Sequence, residues 1–145
     1  MSRSTARRTW ATVTASNVCF DSWAWFEVLH ETSAGQSLSA AYLGNRRRVF
    51  SSVLVLAELA SKLDMVGAPP LVRSGALGLV RSRAELVDVT EGLATEGGFL
   101  RGALRERSRD ASLVDGIMLA TARSKGAVLV SNDPAFRGQP DVVGV

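Results

Sequence analysis

Asn17-Val18-Cys19-Phe20-Asp21-Ser22-Trp23-Ala24-Trp25 is the stretch on which the fold turns. Asn17 to Phe20 is a short apolar run that predicts a buried strand. Asp21 and Ser22 are helix-capping types, and the mixed residues after them predict a helix through about Thr32. A strand that ends on an acid and passes at once into a helix opens a strand–helix unit.

The same rhythm continues downstream. A second helix is expected from about Gln36 to Asn45, then a strand at Val49-Phe50-Ser51, then an apolar helix from about Val53 to Leu63. Gly67-Ala68-Pro69-Pro70 breaks it. A helical stretch over about Leu71 to Val80, a strand at Glu85 to Val89 and a helix over about Gly92 to Arg107 follow. Ser112 opens a helix through Ser124, Ala127 to Val130 is a strand, and Val142-Val143 a short last one. Alternating strands and helices predict an α/β domain with a central parallel sheet and helices on both faces. We read residues 17–145 as this single domain, and residues 1–16, rich in Ser, Thr, Ala and Arg, as a flexible basic tail.

Composition narrows the function. The longest apolar stretch, Val53 to Ala60, contains Glu58 and falls well short of the ~20 residues of a membrane span. No apolar signal core is visible near the start, so the expected location is the cytoplasm, away from membranes. One cysteine, Cys19, excludes an internal disulfide and a Cys-based zinc site, and its apolar neighbours predict a packed thiol. One histidine, His30, leaves no His pair and no Ser–His–Asp motif. The net charge of +3 comes from Arg3, Arg7 and Arg8, since the remaining 14 basic and 14 acidic residues cancel. Attraction to phosphate must then come from local clusters, such as Arg46-Arg47-Arg48 or Arg101/Arg105/Arg107/Arg109. Charge runs of this kind also serve as solvated faces.

Four acids fall at telling places. Asp21 follows the first strand directly, and Asp133 follows Val130 closely. Asp115 lies in the first turn of the Ser112 helix, and Glu58 about two turns into the Val53 helix. In parallel sheets, ligands sit outside the carboxyl ends of the strands. Each acid also has a local structural reading: Asp21 as an N-cap, Asp115 as half of a capping box with Ser112, Asp133 as a turn residue before Pro134, and Glu58 as the partner of Lys62 four residues on. Gathered on one rim, however, these carboxylates repel unless protonated or bridged by a cation. An all-oxygen set suits Mg²⁺ or Mn²⁺, and such ions suit phosphodiester hydrolysis without a general-base histidine.

The acids also lie within recognisable motifs. Val18-Cys19-Phe20-Asp21-Ser22 resembles the opening motif of PIN domains, and Ser51 to Leu59 resembles the second, in which a helix carries the Glu. Ser112-Leu113-Val114-Asp115-Gly116-Ile117-Met118-Leu119-Ala120-Thr121-Ala122-Arg123 resembles the third, and Val128-Leu129-Val130-Ser131-Asn132-Asp133-Pro134 the fourth, in order and over residues 17–136. Gly116 departs from the pattern, since Ala is usual after the third acid.

The resemblance implies a three-layer α/β/α sandwich and a Mg²⁺/Mn²⁺-dependent endoribonuclease. Asp21, Glu58, Asp115 and Asp133 become the catalytic, metal-holding acids, with the Ser22 and Ser131 hydroxyls supporting them and Arg46, Arg47 and Arg48 offered to RNA. The compact length resembles VapC-type toxins, which implies a cognate VapB-like antitoxin, an RNA substrate and a homodimer. Trp23, Trp25 and Phe26 are candidate interface anchors. The alternatives are a PIN nuclease of tRNA or rRNA maturation, and a non-catalytic PIN interaction module; the latter predicts loss of acids, and all four are present.

Overall fold

The computed structural model describes residues 17–44 and 47–144, and residues 8–9 as backbone. Among these described residues six strands, β1 (Arg8–Thr9), β2 (Asn17–Phe20), β3 (Arg48–Ser52), β4 (Glu85–Val87), β5 (Val128–Val130) and β6 (Val142–Gly144), form one sheet in the order β1-β6-β5-β2-β3-β4. Every pairing is parallel. Six helices connect them: α1 (Ser22–Leu29), α2 (Ser33–Leu38), α3 (Leu54–Met65), α4 (Pro70–Arg83), α5 (Glu91–Arg105) and α6 (Leu113–Ser124).

Chain direction sorts the helices into two layers. From β2 the chain moves outward through β3 to β4, by way of α1–α4. It then returns through α5 and α6 to β5, on the other side of β2. Right-handed crossovers that reverse direction place their helices on opposite faces, which gives the α/β/α sandwich expected from the sequence. Val18, Cys19, Phe20, Leu129 and Val130 are accordingly all fully buried, as strands covered on both faces must be. The reversal falls between β2 and β5, so the crevice at their carboxyl ends is the switch point where parallel sheets bind ligands.

The core of that crevice is rigid. Trp25 is completely buried; its indole N–H donates to Ser51 Oγ at 2.8 Å, and Ser51 in turn donates to the Phe20 carbonyl at 2.8 Å. Phe20 packs edge-on against both Trp25 and Tyr42. This polar thread ties α1 and β3 to the residue just before Asp21. It also removes Trp25 from the candidate interface anchors, because an indole in the core offers nothing to a partner.

Several boundaries differ from the sequence expectation. The first helix stops at Leu29 rather than Thr32, because Glu31 takes the left-handed φ of 50° and Thr32 begins a new helix by capping the Gly35 N–H at 3.0 Å. The second helix starts earlier, at Ser33, and ends in a π-helical turn over Ser39–Leu43; its expected end at Asn45 lies outside the described residues. Most of the expected 1–16 tail also lies outside them, except that Arg8–Thr9 pair with β6.

α5 and α6 cross at unusual proximity. A Cβ on Gly116 would stand 2.1 Å from the Gly97 carbonyl oxygen, and one on Gly97 would stand 2.8 Å from the Ile117 backbone. Only paired glycines permit the approach, which accounts for Gly116 in place of the familiar Ala. Arg101 and Arg105 of α5 reinforce it, both donating from Nε to the Ala111 carbonyl, at 3.4 and 3.2 Å. Two members of the arginine run therefore hold the entry to α6.

Candidate active site

Each acid is held by its own segment. Asp21 caps α1, accepting from the Ala24 N–H at 3.0 Å, and is only 5% exposed. Asp115 forms a complete capping box with Ser112: its carboxylate accepts from the Ser112 N–H at 2.8 Å, and its own N–H donates to Ser112 Oγ at 3.1 Å. Asp133 accepts from the Ala135 N–H at 2.9 Å at the start of a 3₁₀ turn, Pro134–Phe136. Glu58 is the fifth residue of α3, a little over one turn in rather than two, and accepts from Ser22 Oγ at 3.0 Å. The local roles read from sequence for the three aspartates are therefore real. They orient carboxylates that all line one pocket.

The fourth local reading holds only as a longer-range attraction, in which the Lys62 charge favours ionised Glu58. Among the described residues no salt bridge joins Glu58 to Lys62; the Lys62 ammonium stands 4.1 Å above the Phe26 ring instead.

All four acids line one pocket of about 310 Å³, with Ser22, Trp23, Lys62, Met118, Asn132 and Phe136 among its other walls. Asp21 and Asp133 come from the carboxyl ends of the neighbouring strands β2 and β5, Glu58 from one helical layer and Asp115 from the other. Ser131 links two of them. Its hydroxyl accepts from the Asp133 N–H at 3.1 Å and is hydrogen-bonded to the Asp21 carboxyl.

Electrostatics mark the pocket as acid-crowded. Burial pushes Asp21 up to about 7, against the Ser131 and Ala24 hydrogen bonds and with the help of the Asp133 and Glu58 charges. Burial also raises Glu58, opposed by Ser22 and assisted by Asp115, and raises Asp115, assisted by Asp133. Among the described residues no three His, Cys, Asp or Glu side chains sit close enough to make a ready cation cage. The acids frame the pocket, each drawn back to a local donor.

Cys19 and His30 do not line it. Cys19 is enclosed in β2, and His30 is an exposed residue that caps α1 and stacks on Phe26. The basic run lies away from the pocket, at the amino end of β3: Arg47 stands over Tyr42, Arg48 makes a two-pronged pair with Glu85 at 2.8 Å, and Arg46 is outside the described residues.

Residues 18–141 match the PIN domain. The chain belongs to the PIN domain family. Solved structures share the fold at low identity. A toxin–antitoxin complex from Klebsiella pneumoniae is 20% identical, with TM-score 0.67, covering 87% of this chain and 95% of that one. VapBC2 from Rickettsia felis, bound to a DNA fragment from its promoter, is 21% identical, with TM-score 0.68 and coverage of 89% and 97%. VapC20 from Mycobacterium tuberculosis, a Sarcin-Ricin loop cleaving toxin, is 19% identical, with TM-score 0.64 and coverage of 87% and 98%. No curated protein matches the sequence. Among the described residues of this PIN domain, no helix is long and apolar enough to cross a membrane.

Proposed function

We propose that this chain is a Mg²⁺- or Mn²⁺-dependent endoribonuclease, the cytoplasmic toxin of a type II toxin–antitoxin pair. One observation carries the reading: Asp21, Glu58, Asp115 and Asp133, from four separate segments, line a single pocket at the switch point of a PIN sheet. The donors fit a hard cation, because they are all carboxylates and neither the thiol nor the imidazole is among them. Burial, with a smaller contribution from the neighbouring carboxylates, raises three of the acids, and a cation shared among them favours their charged forms. When bound there, such an ion activates water and stabilises the leaving 3′ oxygen of a phosphodiester.

The chain's own residues supply order. The Ala24, Ser112 and Ala135 positions each fix one aspartate through a backbone donor, and Ser22 fixes Glu58. Ser131 bonds both to the Asp133 backbone N–H and to the Asp21 carboxyl, which ties the two strand ends together. Trp23, Met118 and Phe136 wall the pocket with apolar surface and limit water around the reacting phosphate. Any contact of Arg47 and Arg48 with RNA falls at the amino end of β3, away from the acid pocket.

The partners follow the structural neighbours, which are toxin–antitoxin complexes. A VapB-like antitoxin would present a basic residue to the carboxylates and apolar residues to exposed groups such as Met65, Val66 and Leu71 on α3 and α4. The assembly is a homodimer of toxins carrying antitoxin.

The test pairs the wild-type chain with Asp21→Asn. Expressed alone in a permissive host, the wild type should arrest growth and the variant should not; co-expressed antitoxin should restore growth. Purified wild type should cut single-stranded RNA only with Mg²⁺ or Mn²⁺. Cleavage in excess chelator, or by Asp115→Asn at the wild-type rate, overturns the nuclease reading. Equal growth of both strains with soluble protein overturns the toxin reading.

A further inference from the structure

Among the described residues lining the acid pocket, Lys62 is the one cationic side chain. It sits one turn beyond Glu58 on α3, where pairing with that acid is the ordinary outcome at this spacing. The structure gives Glu58 to Ser22 instead and leaves the Lys62 ammonium 4.1 Å over the face of Phe26. Lys62 is exposed, and it also lines the adjoining apolar hollow formed by Phe26, His30, Leu63, Met65 and Val66. It therefore stands on the ridge between the acid pocket and the open surface.

We propose that Lys62 binds a backbone phosphate of single-stranded RNA, the one next to the phosphate being cut; this rests on the ribonuclease reading above. An RNA strand entering the pocket meets four carboxylates, and the neighbouring phosphate has no other cation of the pocket wall to meet. An exposed ammonium over an aromatic ring gains less than one in a charge-assisted bond to phosphate. The long, flexible stem lets the ammonium leave Phe26 without disturbing the helix that carries Glu58.

The experiment separates binding from cleavage. Asp115→Asn protein is titrated with a fluorescein-labelled single-stranded oligoribonucleotide of mixed sequence at fixed Mg²⁺, over a fourfold range of KCl. Adding Lys62→Met should lower the steepness of log affinity against log salt by about 0.7, the share of one single-strand phosphate. Over that range the double variant then loses about 2.6-fold less affinity than its parent, while Lys62→Arg keeps the parental slope. In the active background, Lys62→Met should act on KM more than on kcat. An unchanged slope overturns the proposal and leaves the nuclease reading standing. A shifted acid limb of the pH–rate profile with an unchanged slope shows that Lys62 acts only through Glu58, and also overturns it. No RNA binding by Asp115→Asn protein with Lys62 intact overturns both.

Discussion

Ser22 Oγ donates to Glu58 Oε1 at 3.0 Å, a single bond that spans 36 residues and fixes α3 to the start of α1 across the mouth of the pocket. The hydroxyl holds Glu58 toward its charged form, against the burial that raises it. Ser22→Ala removes that help, so Glu58 rises further and takes a proton at higher pH. Partners that orient a metal-holding group contribute about 10–100-fold to affinity or activity. We predict a loss of that size in the Mg²⁺ dependence of cleavage, larger at pH 6 than at pH 8, with little change in melting temperature.

Asp21 makes the metal-free protein sensitive to pH. Its folded value of about 7 lies above the unfolded 3.8, so the folded state binds the proton more tightly. The stabilisation is fully present below about pH 4 and is lost as pH rises through 7. Asp21→Asn keeps a good N-cap and carries no charge. In chelator at pH 8 it should be more stable than wild type, by on the order of a few kcal/mol, and the advantage should vanish near pH 4. Added Mg²⁺ should raise the wild-type melting temperature and leave the variant nearly unmoved. Calorimetric melts in the two buffers read both effects.

Gly116→Ala tests the crossing of α5 and α6. The new methyl group meets the Gly97 carbonyl, backbone against which no rotamer can yield. Overpacking of this kind costs about 1–3 kcal/mol. Because Asp115 is the adjacent residue, cleavage should fall beyond what stability explains, measured well below the melting temperature. A variant as stable and active as wild type would show that the helices separate freely.

Trp25→Phe removes the donor to Ser51 while keeping most of the buried ring. A buried hydrogen-bonding group left without its partner costs about 1–3 kcal/mol. Denaturant unfolding should show that loss, and Ser51→Ala should show a similar one. The double variant should lose less than the two together, since both act on one thread.

Half of this candidate site was legible from strands alone, because Asp21 and Asp133 follow strands and strands are apolar runs. β2 and β5 were readable from Val18-Cys19-Phe20 and Val128-Leu129-Val130, and parallel topology then brings Asp21 and Asp133 to one edge. The bridging role of Ser131 between those acids was not readable in full. It depends on β2 and β5 being neighbours although 107 residues lie between Phe20, the last of β2, and Val128, the first of β5. Lys62 was legible only as a charge acting on Glu58, without the close pairing, for a related reason. Helical spacing offers Glu58 as its partner, but the competing Ser22 hydroxyl comes from another element. The edge strand Arg8–Thr9 escaped notice because two polar residues carry no alternation. The stop of α1 escaped because Glu31 has no glycine-like signature for its positive φ.

The lone thiol of Cys19 is sealed at the centre of β2, and burial with Asp21 nearby pushes it up to about 12. A thiol in that state ignores oxidants and alkylating reagents as long as the sheet stays closed. Its labelling is therefore a clock on the opening of the whole domain, blind to fraying at helix ends. One reagent and one mass measurement would follow how a cation, an RNA or a second chain slows that clock, without any probe being added to the protein.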